Sequence, residues 1–545
     1  MNAARPSSPR ALGLVSLLAL AAACGDPQVT PPPNDPSDAV AANTTKRADT
    51  PPAPAVDVLG PKPTLGAPKP FTPPQVDVFQ TKNGLTVWLV ERHGLPIVSV
   101  ALVVQGGSAS DPADKPGLAN ITTDMLDEGA GKRSAVEVSS AINDLGATMA
   151  LGAGTDGALA TLTVLKNNFD AAFDVFSDVI ARPRFEDKEW KRVSELWRND
   201  LKKRADQPMS VSRVVNAAVL YGPGTPYGHP ADGLLEGAAK IDLPAVKRFY
   251  ADTFRPDRSV MVVAGDITRK EVTDLVDRSL GAWKPGAAKA KTDAGKGAAA
   301  LAPRPANARP KVVLVDRPGA PQSVIAVLRE GVAATDPDAA RLDLVNTVLG
   351  GSFTSRLNQN LREEHHWAYG AGSSFYEMRG TGPFVAIASV ETPATGPALK
   401  EMIGELQKMA TSGLSAEDLD KAKAQDLAEL MQTYETVSGI SRRLSTLARL
   451  GLPPGHDLEA SRARQSAKLD DVLALAKKYI DPAPATIVVV GPRADVVPQL
   501  AAIGLAEPEA WDPEGKPIAA GGGGAKAKDA GDVKKDAAKK PAPKK

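Results

Sequence analysis

The sequence repeats one pattern at a distance of about 226 residues. The stretch Pro256–Asp266 (PDRSVMVVAGD) resembles Pro482–Pro492 (PAPATIVVVGP), since each is an apolar strand that ends at a glycine, and the two glycines lie 226 positions apart. The dipeptides Asp111-Pro112 and Asp336-Pro337 each open a helical stretch after two strand-like runs, and they lie 225 positions apart. Because markers far apart in the chain agree on the spacing within one residue, we predict an internal duplication.

Each repeat contains patterns of both strands and helices. Asn83-Gly84 lies between two apolar runs and predicts a β-hairpin, and Thr148–Gly154 with Gly157–Val164 predicts another. Helical patterns cover Lys115–Glu128 and, in the second repeat, the long stretch Glu417–Ala448. Hairpins combined with helices favour the α+β class, with two homologous domains that each have an antiparallel-type mixed sheet and helices packed on one face.

The beginning of the chain predicts export and lipid attachment. Arg5 and Arg10 precede the apolar run Ala11–Ala23, which is too short to span a bilayer and is followed at once by Cys24, the single cysteine of the chain. This order resembles a bacterial lipoprotein signal, with cleavage before Cys24 and lipid on its sulfur, although an ordinary signal peptide remains the alternative. We therefore expect a membrane-anchored lipoprotein that faces the periplasm or the cell surface of a bacterium.

Composition divides the rest of the chain. Proline-rich, alanine-rich and lysine-rich stretches cannot bury a core and read as linkers and tails, and a formal net charge of +1 gives no reason to expect a nucleic acid as partner. The predicted division is a signal peptide (1–23), a Pro-rich linker (24–74), an N-terminal domain (75–285), a linker (286–309), a C-terminal domain (310–507) and a disordered Lys/Ala/Gly-rich tail (508–545).

One helix of the first repeat has the frame of a zinc site without its ligands. The stretch Gly117–Glu128 (GLANITTDMLDE) follows an apolar strand and a turn. It resembles the helix of insulinase-type (pitrilysin) metallopeptidases that carries the inverted zinc motif His-x-x-Glu-His. By this resemblance the three motif positions are Asn120, Thr123 and Asp124, which do not make a zinc site because an amide is a weak ligand and a hydroxyl is no base at neutral pH.

The remaining histidines and acids do not replace the missing ligands. None of the five histidines pairs with another at i and i+4, and the adjacent His365 and His366 would point about 100° apart on a helix. The third ligand of the family, a glutamate, would by resemblance fall near Glu195 to Asp200. We therefore expect no metal on this chain and no peptidase activity from it alone.

A second motif lies in the second repeat. The string Leu357–Ser374 (LNQNLREEHHWAYGAGSS) closely resembles a motif in the C-terminal domain of the same peptidases, where an Arg and a Tyr seven residues apart reach the scissile peptide beside the zinc. Arg362 and Tyr369 have that spacing, and both side chains can donate hydrogen bonds to a peptide carbonyl or to an oxyanion. The alternative is structural, with Arg362 paired to a neighbouring glutamate and Tyr369 half-buried in a sheet.

The resemblance covers roughly Val76 to Leu505 and implies a half-shell of two domains and a role in a two-chain enzyme. It implies a non-catalytic, substrate-contacting subunit that supplies Arg362 and Tyr369, while a homologous partner subunit holds the zinc and a peptide is the substrate. Two alternatives remain: a scaffold or binding lipoprotein of the same fold, and a self-sufficient metalloendopeptidase with an unconventional metal site.

Overall fold

The computed structural model describes residues 70–286, 303–309 and 311–519. The predicted signal peptide, Cys24, most of both linkers and the end of the tail lie outside these residues. Within them, twelve strands form two six-stranded sheets. The strands of the first sheet are β1 (Asp77–Gln80), β2 (Thr86–Glu91), β3 (Ile97–Gln105), β4 (Thr148–Ala153), β5 (Gly157–Leu165) and β6 (Ser259–Gly265). Those of the second are β7 (Val312–Asp316), β8 (Gln322–Glu330), β9 (Ala368–Phe375), β10 (Pro383–Glu391), β11 (Thr486–Gly491) and β12 (Glu509–Ala510).

Five of the six strands in each sheet follow the same order, which confirms the α+β class and the predicted duplication. The first sheet has the order β1-β2-β6-β3-β5-β4 and the second the order β12-β7-β11-β8-β10-β9. The sixth strand differs, since β1 pairs antiparallel with β2 whereas β12 pairs parallel with β7. β2 and β6 are parallel, as are β7 and β11, whereas β3 and β8 pair antiparallel with their neighbours on both sides. Val100 pairs with Val263 in the first sheet and Ile325 with Val489 in the second, so the registers reproduce both the 225-residue and the 226-residue offset.

Helices cover both sheets. Those of the first repeat are α1 (Leu118–Asp124), α2 (Ala135–Asp144), α3 (Phe169–Ala181), α4 (Asp187–Arg204), α5 (Pro208–Tyr221), α6 (Leu235–Lys240), α7 (Leu243–Thr253) and α8 (Arg269–Leu280). Those of the second are α9 (Ala339–Asn346), α10 (Arg356–Asn358), α11 (Thr395–Thr411), α12 (Ala416–Thr433), α13 (Val437–Leu450), α14 (His456–Gln465), α15 (Leu469–Ile480) and α16 (Arg493–Ala502). None of these described helices combines the length and the apolar character that a bilayer crossing needs.

Each sheet has one face on its own helices and the other on a helix of the opposite repeat. Alternate residues of β2 show the division, since Val87 and Leu89 pack with the helices of the first repeat, whereas Trp88 and Val90 pack with α13. In the same way α5 of the first repeat packs on the second sheet, where Val215 lies in one buried cluster with strands β7, β8 and β11. The two repeats therefore share two hydrophobic cores through an exchange of helices.

The structure corrects the prediction of one long helix over Glu417–Ala448. The chain instead forms α12 and α13, which are separated at Tyr434–Thr436. Thr436 is the N-cap of α13 and its side chain accepts a hydrogen bond from the backbone N–H of Gly439 (3.0 Å), which starts a new helix. Residues 434–436 contain neither Gly nor Pro, and the helical apolar pattern continues across them, so the sequence did not predict the break.

Helix α5 was not predicted from the sequence either. It begins with Pro208 in its first turn.

The ends of the globular part also differ from the predicted boundaries. Phe71, assigned to the linker, is buried, and its ring lies 5.2 Å from that of Tyr434. Residues 508–519, assigned to the disordered tail, are ordered, since β12 pairs with β7 and Trp511 is buried against α5. Burial of these two aromatic rings fixes segments whose neighbouring sequence is polar or proline-rich.

Candidate functional site

Helix α1 is held in place by contacts at its N-terminus. Gly117, its N-cap, has φ of 100°, a left-handed value that favours glycine, and a Cβ there would lie 2.7 Å from the ring of Trp197. The Asp111 carboxylate accepts hydrogen bonds from the backbone N–H groups of Gly117 (2.7 Å) and Ala119 (2.8 Å). The predicted helix over Lys115–Glu128 is thus shorter than expected, but it has a fixed start.

The side chains at the three motif positions on α1 form hydrogen bonds with one another or with the helix backbone. The Asn120 amide donates a hydrogen bond to Asp124 Oδ2 (2.8 Å). The hydroxyl of Thr123, which is 1% exposed, donates to the carbonyl oxygen of Ala119 (2.9 Å). These bonds satisfy the polar groups locally, as is usual for buried Asn and Thr side chains in a helix.

The carboxylates at the end of α1 are electrostatically crowded. The pKa of Asp124 is raised to about 6, mainly by burial and then by the nearby charges of Asp127 and Glu128, while the Asn120 hydrogen bond opposes the shift. Burial, with Glu128 next, also raises the pKa of Asp127. Arg192 of α4 forms ion pairs with Glu128 and with Glu189 (3.0 Å) and partly balances this acidic group.

The stretch predicted to hold a third ligand does not present an acid to α1. On α4, Glu195 and Asp200 are exposed, whereas Trp197 is buried, contacts the Gly117 region and donates a hydrogen bond to the Asp232 carbonyl oxygen (2.9 Å). The buried face of α4 is therefore taken by an indole ring.

A zinc ion does not fit the residues of this helix. The Asn120 amide nitrogen points to Asp124, the Thr123 hydroxyl is bonded within the helix, and one carboxylate remains where a catalytic zinc needs three ligands. Across the described ranges, no group of three His, Cys, Asp or Glu side chains is placed to hold a metal ion. The residues of α1 therefore do not hold a catalytic zinc ion.

The second motif lies at the transition from a helix to an edge strand. After α10 the chain continues as a π-helix, Gln359–Glu364, and His366 then adopts a left-handed φ of 58° before β9 begins at Ala368. His366 Nδ1 lies 3.0 Å from the Arg362 carbonyl oxygen. Because His366 is not helical, the expected angle between His365 and His366 does not apply. This turn brings Arg362 and Tyr369 together, and π-helical segments occur often at functional sites.

Arg362 and Tyr369 form an exposed pair. Tyr369 is 91% exposed, and the Arg362 guanidinium lies over its ring at 5.6 Å from the centroid. Arg362 Nε lies 3.4 Å from Glu363 Oε1, as one alternative expected, but Tyr369 is not half-buried. Among the described residues, no hydrogen bond engages the terminal guanidinium nitrogens of Arg362 or the hydroxyl of Tyr369. Both groups are thus available as donors.

A third residue, Phe353, belongs to this group and was missed in the sequence. Its ring is 68% exposed and lies below the Arg362 guanidinium, 4.7 Å from the ring centroid to Cζ. The amide of the buried Asn358 donates to the Phe353 carbonyl oxygen (2.7 Å) and its Oδ1 accepts from the N–H of Ala371 on β9 (3.3 Å). In the sequence, Phe353 is a large apolar residue among small and polar ones after Gly350-Gly351, and this isolation could have indicated an exposed aromatic residue.

The structure keeps the two motif regions separate. Asn120, Thr123 and Asp124 share α1, which packs against the edge strand β4. Tyr369 is the second residue of the edge strand β9 of the other sheet, and Arg362 lies in the π-helix that precedes this strand. No hydrogen bond, ion pair or ring contact within the described part of the chain joins the two groups.

Comparisons with known proteins agree with this architecture. Residues 86–222 match the model of insulinase, peptidase family M16, and residues 240–425 match the model of the peptidase M16 inactive domain. An uncharacterized zinc protease of Bacillus subtilis is 22% identical over 66% of this chain and 85% of its own length. The mitochondrial-processing peptidase subunit beta of Dictyostelium discoideum is 23% identical over 69% of this chain and 81% of its own length.

A solved structure shows the same fold. The peptidase M16 inactive domain from Pseudomonas fluorescens superposes with a TM-score of 0.68 at 24% identity, over 77% of this chain and 98% of that one. Because models of this family match both repeats, this chain belongs to the insulinase-type peptidase family M16.

Proposed function

We propose that this chain is the non-catalytic, substrate-contacting subunit of a two-chain insulinase-type oligopeptidase. The observation that carries the proposal is the exposed pair of Arg362 and Tyr369. Among the described residues, the terminal guanidinium nitrogens and the tyrosine hydroxyl have no hydrogen-bond partner, and α1 offers one carboxylate where a zinc site needs three ligands. A homologous partner subunit would hold the zinc ion, which supplies the activated water when bound.

The chemistry of the pair suits a peptide in its reacting state. Arg362 NH groups and the Tyr369 hydroxyl can donate hydrogen bonds to a peptide carbonyl oxygen, and such bonds strengthen as negative charge develops on that oxygen. The cation–π contacts restrict the guanidinium before substrate arrives, so that less side-chain entropy is lost on binding.

Two edge strands offer places for an extended peptide. The outer edges of β4 and β9 pair with no other strand among the described residues, and both strands are rich in small residues. A peptide backbone can add to such an edge, where its main-chain groups supply affinity and its side chains supply specificity. The free edge of β9 begins beside Tyr369, which supports contact between a bound peptide and the pair.

The location of the enzyme is part of the proposal. The order of basic residues, apolar run and Cys24 supports export followed by lipid attachment, which would hold the complex on a membrane facing the periplasm or the cell surface. Cys24→Ala should move the protein from the membrane fraction to the soluble fraction. Retention of the variant in the membrane fraction would contradict a lipid anchor at this residue.

The test of function is reconstitution with a homologue of the same genome that carries His-x-x-Glu-His. The pair should bind zinc and cleave a quenched peptide, and either chain alone should be at least tenfold slower, since each lacks part of the site. Arg362→Ala and Tyr369→Phe should reduce the activity of the pair. The matched control is Arg278→Ala, which removes an exposed arginine paired with Asp170 on the first repeat and should have no effect.

Two results would overturn this proposal. Unchanged activity of the pair after both substitutions would favour the scaffold or binding protein. Stoichiometric zinc on the isolated chain, measured by mass spectrometry of the metal, would favour a self-sufficient metalloendopeptidase.

A further inference from the structure

Phe353 is an exposed aromatic residue whose backbone is held by contacts with the second sheet. A large apolar side chain that is 68% exposed gains little from burial, so its own contribution to folding is small. Its backbone is nevertheless tied to the second sheet, because the Asn358 amide bridges the Phe353 carbonyl oxygen and the N–H of Ala371 on β9. Asn358 is 5% exposed, so this bridge is protected from water.

The preceding Gly350 brings the same loop against β9. A Cβ at Gly350 would lie 2.2 Å from the backbone nitrogen of Ser373, so only glycine permits this approach. The next residue, Gly351, lies against Asn346 of α9 instead. The backbone of Phe353 is therefore held next to Arg362 by the close approach of Gly350 and by buried hydrogen bonds.

Phe353 and Tyr369 contact the same guanidinium. Arg362 Cζ lies 4.7 Å from the Phe353 ring centroid and 5.6 Å from that of Tyr369, both within the range of a cation–π interaction. Glu363 balances the charge of Arg362 at 3.4 Å. The surface formed by these three side chains, Phe353, Arg362 and Tyr369, thus combines two exposed rings with hydrogen-bond donors and little net charge.

We infer that Phe353 positions Arg362 and determines specificity at this surface, by contacting a large apolar or aromatic side chain of the bound peptide. This inference rests on the proposed function. A ring that is largely exposed and rigidly placed offers apolar area at low entropic cost, and an aromatic partner adds edge or face contacts. A peptide with a serine in the same place would leave the ring uncovered.

The test uses two labelled decapeptides of Gly and Ser that differ at one position, which is Phe in one and Ser in the other. Binding to the full isolated chain is measured by fluorescence anisotropy, and cleavage is measured with the reconstituted pair. Wild type should prefer the Phe peptide by about tenfold in one or both assays. The preference should vanish in Phe353→Ala, whereas Leu95→Ala, which removes an exposed leucine in the turn before β3, should leave it unchanged.

Phe353→Leu separates the two roles. Leucine keeps apolar contact with the substrate but removes the cation–π contact with Arg362, so it should retain most of the preference expressed in KM and lower kcat by about threefold to tenfold. If Phe353 had only a structural role, Phe353→Leu would change neither the KM preference for the Phe peptide nor kcat. Thermal unfolding of the variant reports any loss of folding.

The outcomes distinguish the two claims. If wild type binds or cleaves peptides but Phe353→Ala keeps the tenfold preference, or wild type shows none, the specificity role of Phe353 is wrong while the proposed function stands. If wild type neither binds these peptides nor adds activity to the zinc-bearing homologue, both are wrong.

Discussion

The two repeats carry different chemistry beside corresponding edge strands. In the first, α1 packs against the edge strand β4, and in the second, the π-helix Thr347–Gly351 packs against the edge strand β9, which contains Tyr369. The polar side chains of α1 bond to one another and to their own helix, whereas Arg362 and Tyr369 point outward with donors free. The difference is that the polar groups of α1 are satisfied within the helix, whereas the donor groups of Arg362 and Tyr369 are exposed to a binding partner.

The same contrast applies to stability. Asn120, Thr123 and Asp124 form hydrogen bonds within α1, and each such bond contributes roughly 1 kcal/mol. The second region contributes little to stability through Arg362 because an exposed ion pair is worth at most about 1 kcal/mol. Its features therefore point to binding.

The largest effect is expected at Arg362. Arg362→Ala should lower kcat of the reconstituted pair by about 100-fold to 1,000-fold, as the loss of one oxyanion donor does, while the free energy of unfolding changes by less than about 0.5 kcal/mol. Steady-state kinetics and urea unfolding measure the two quantities on the same preparation. If Arg362→Ala lost stability in proportion to activity, Arg362 would have a structural role like the side chains of α1, and the two regions would not differ.

The next effect concerns the exchange of helices that joins the two repeats. Ile440 of α13 is fully buried with strands of the first sheet, so Ile440→Ala should cost about 2–5 kcal/mol. Because α5 and α13 connect both cores, calorimetry should show one transition that shifts as a whole. Val136→Ala, on an exposed face of α2, is the control and should cost less than about 0.5 kcal/mol. Two independent transitions would mean that the repeats unfold separately.

A smaller loss is expected at the C-terminal segment. Glu514 accepts hydrogen bonds from Arg204 (3.1 Å), whose side chain is 8% exposed, and from the backbone N–H of Leu235 (2.9 Å). Glu514→Ala should cost about 1–3 kcal/mol, because Arg204 keeps its bonds to Asp232 and Gly233 but loses one charged partner. Chemical denaturation measures this cost. An unchanged midpoint would show that residues 511–519 do not stabilise the first repeat.

The smallest effect is a gain in stability at Asp124. Its pKa is raised from 3.8 to about 6, so the folded state binds more protons than the unfolded state between these values, and stability falls as pH rises through this window. Asp124→Asn removes this term and should stabilise the protein by about 1–2 kcal/mol at pH 7, while the difference from wild type disappears below pH 4. Thermal melts from pH 4 to 7 test it. A destabilised variant at pH 7 would mean that the charged carboxylate has a partner beyond Asn120.

The sequence alone determined the duplication, the α+β class and the residues of both motifs. A 226-residue spacing, hairpin turns and the seven-residue interval from Arg362 to Tyr369 are properties of the linear chain, so they could be predicted from it. The sequence also predicted that Asn120, Thr123 and Asp124 do not make a zinc site, because they supply one carboxylate in place of three ligands.

Only the tertiary structure decided what those residues contact. The exchange of α5 and α13, the break at Thr436 and the ordering of Trp511 depend on burial between segments distant in sequence, where packing overrides local pattern. The position of Phe353 and Tyr369 on either side of Arg362 depends on a left-handed His366, on Gly350 packed against β9 and on the bridge through Asn358. Residue identity thus fixed which chemistry was available, and long-range packing decided which of it faces outward.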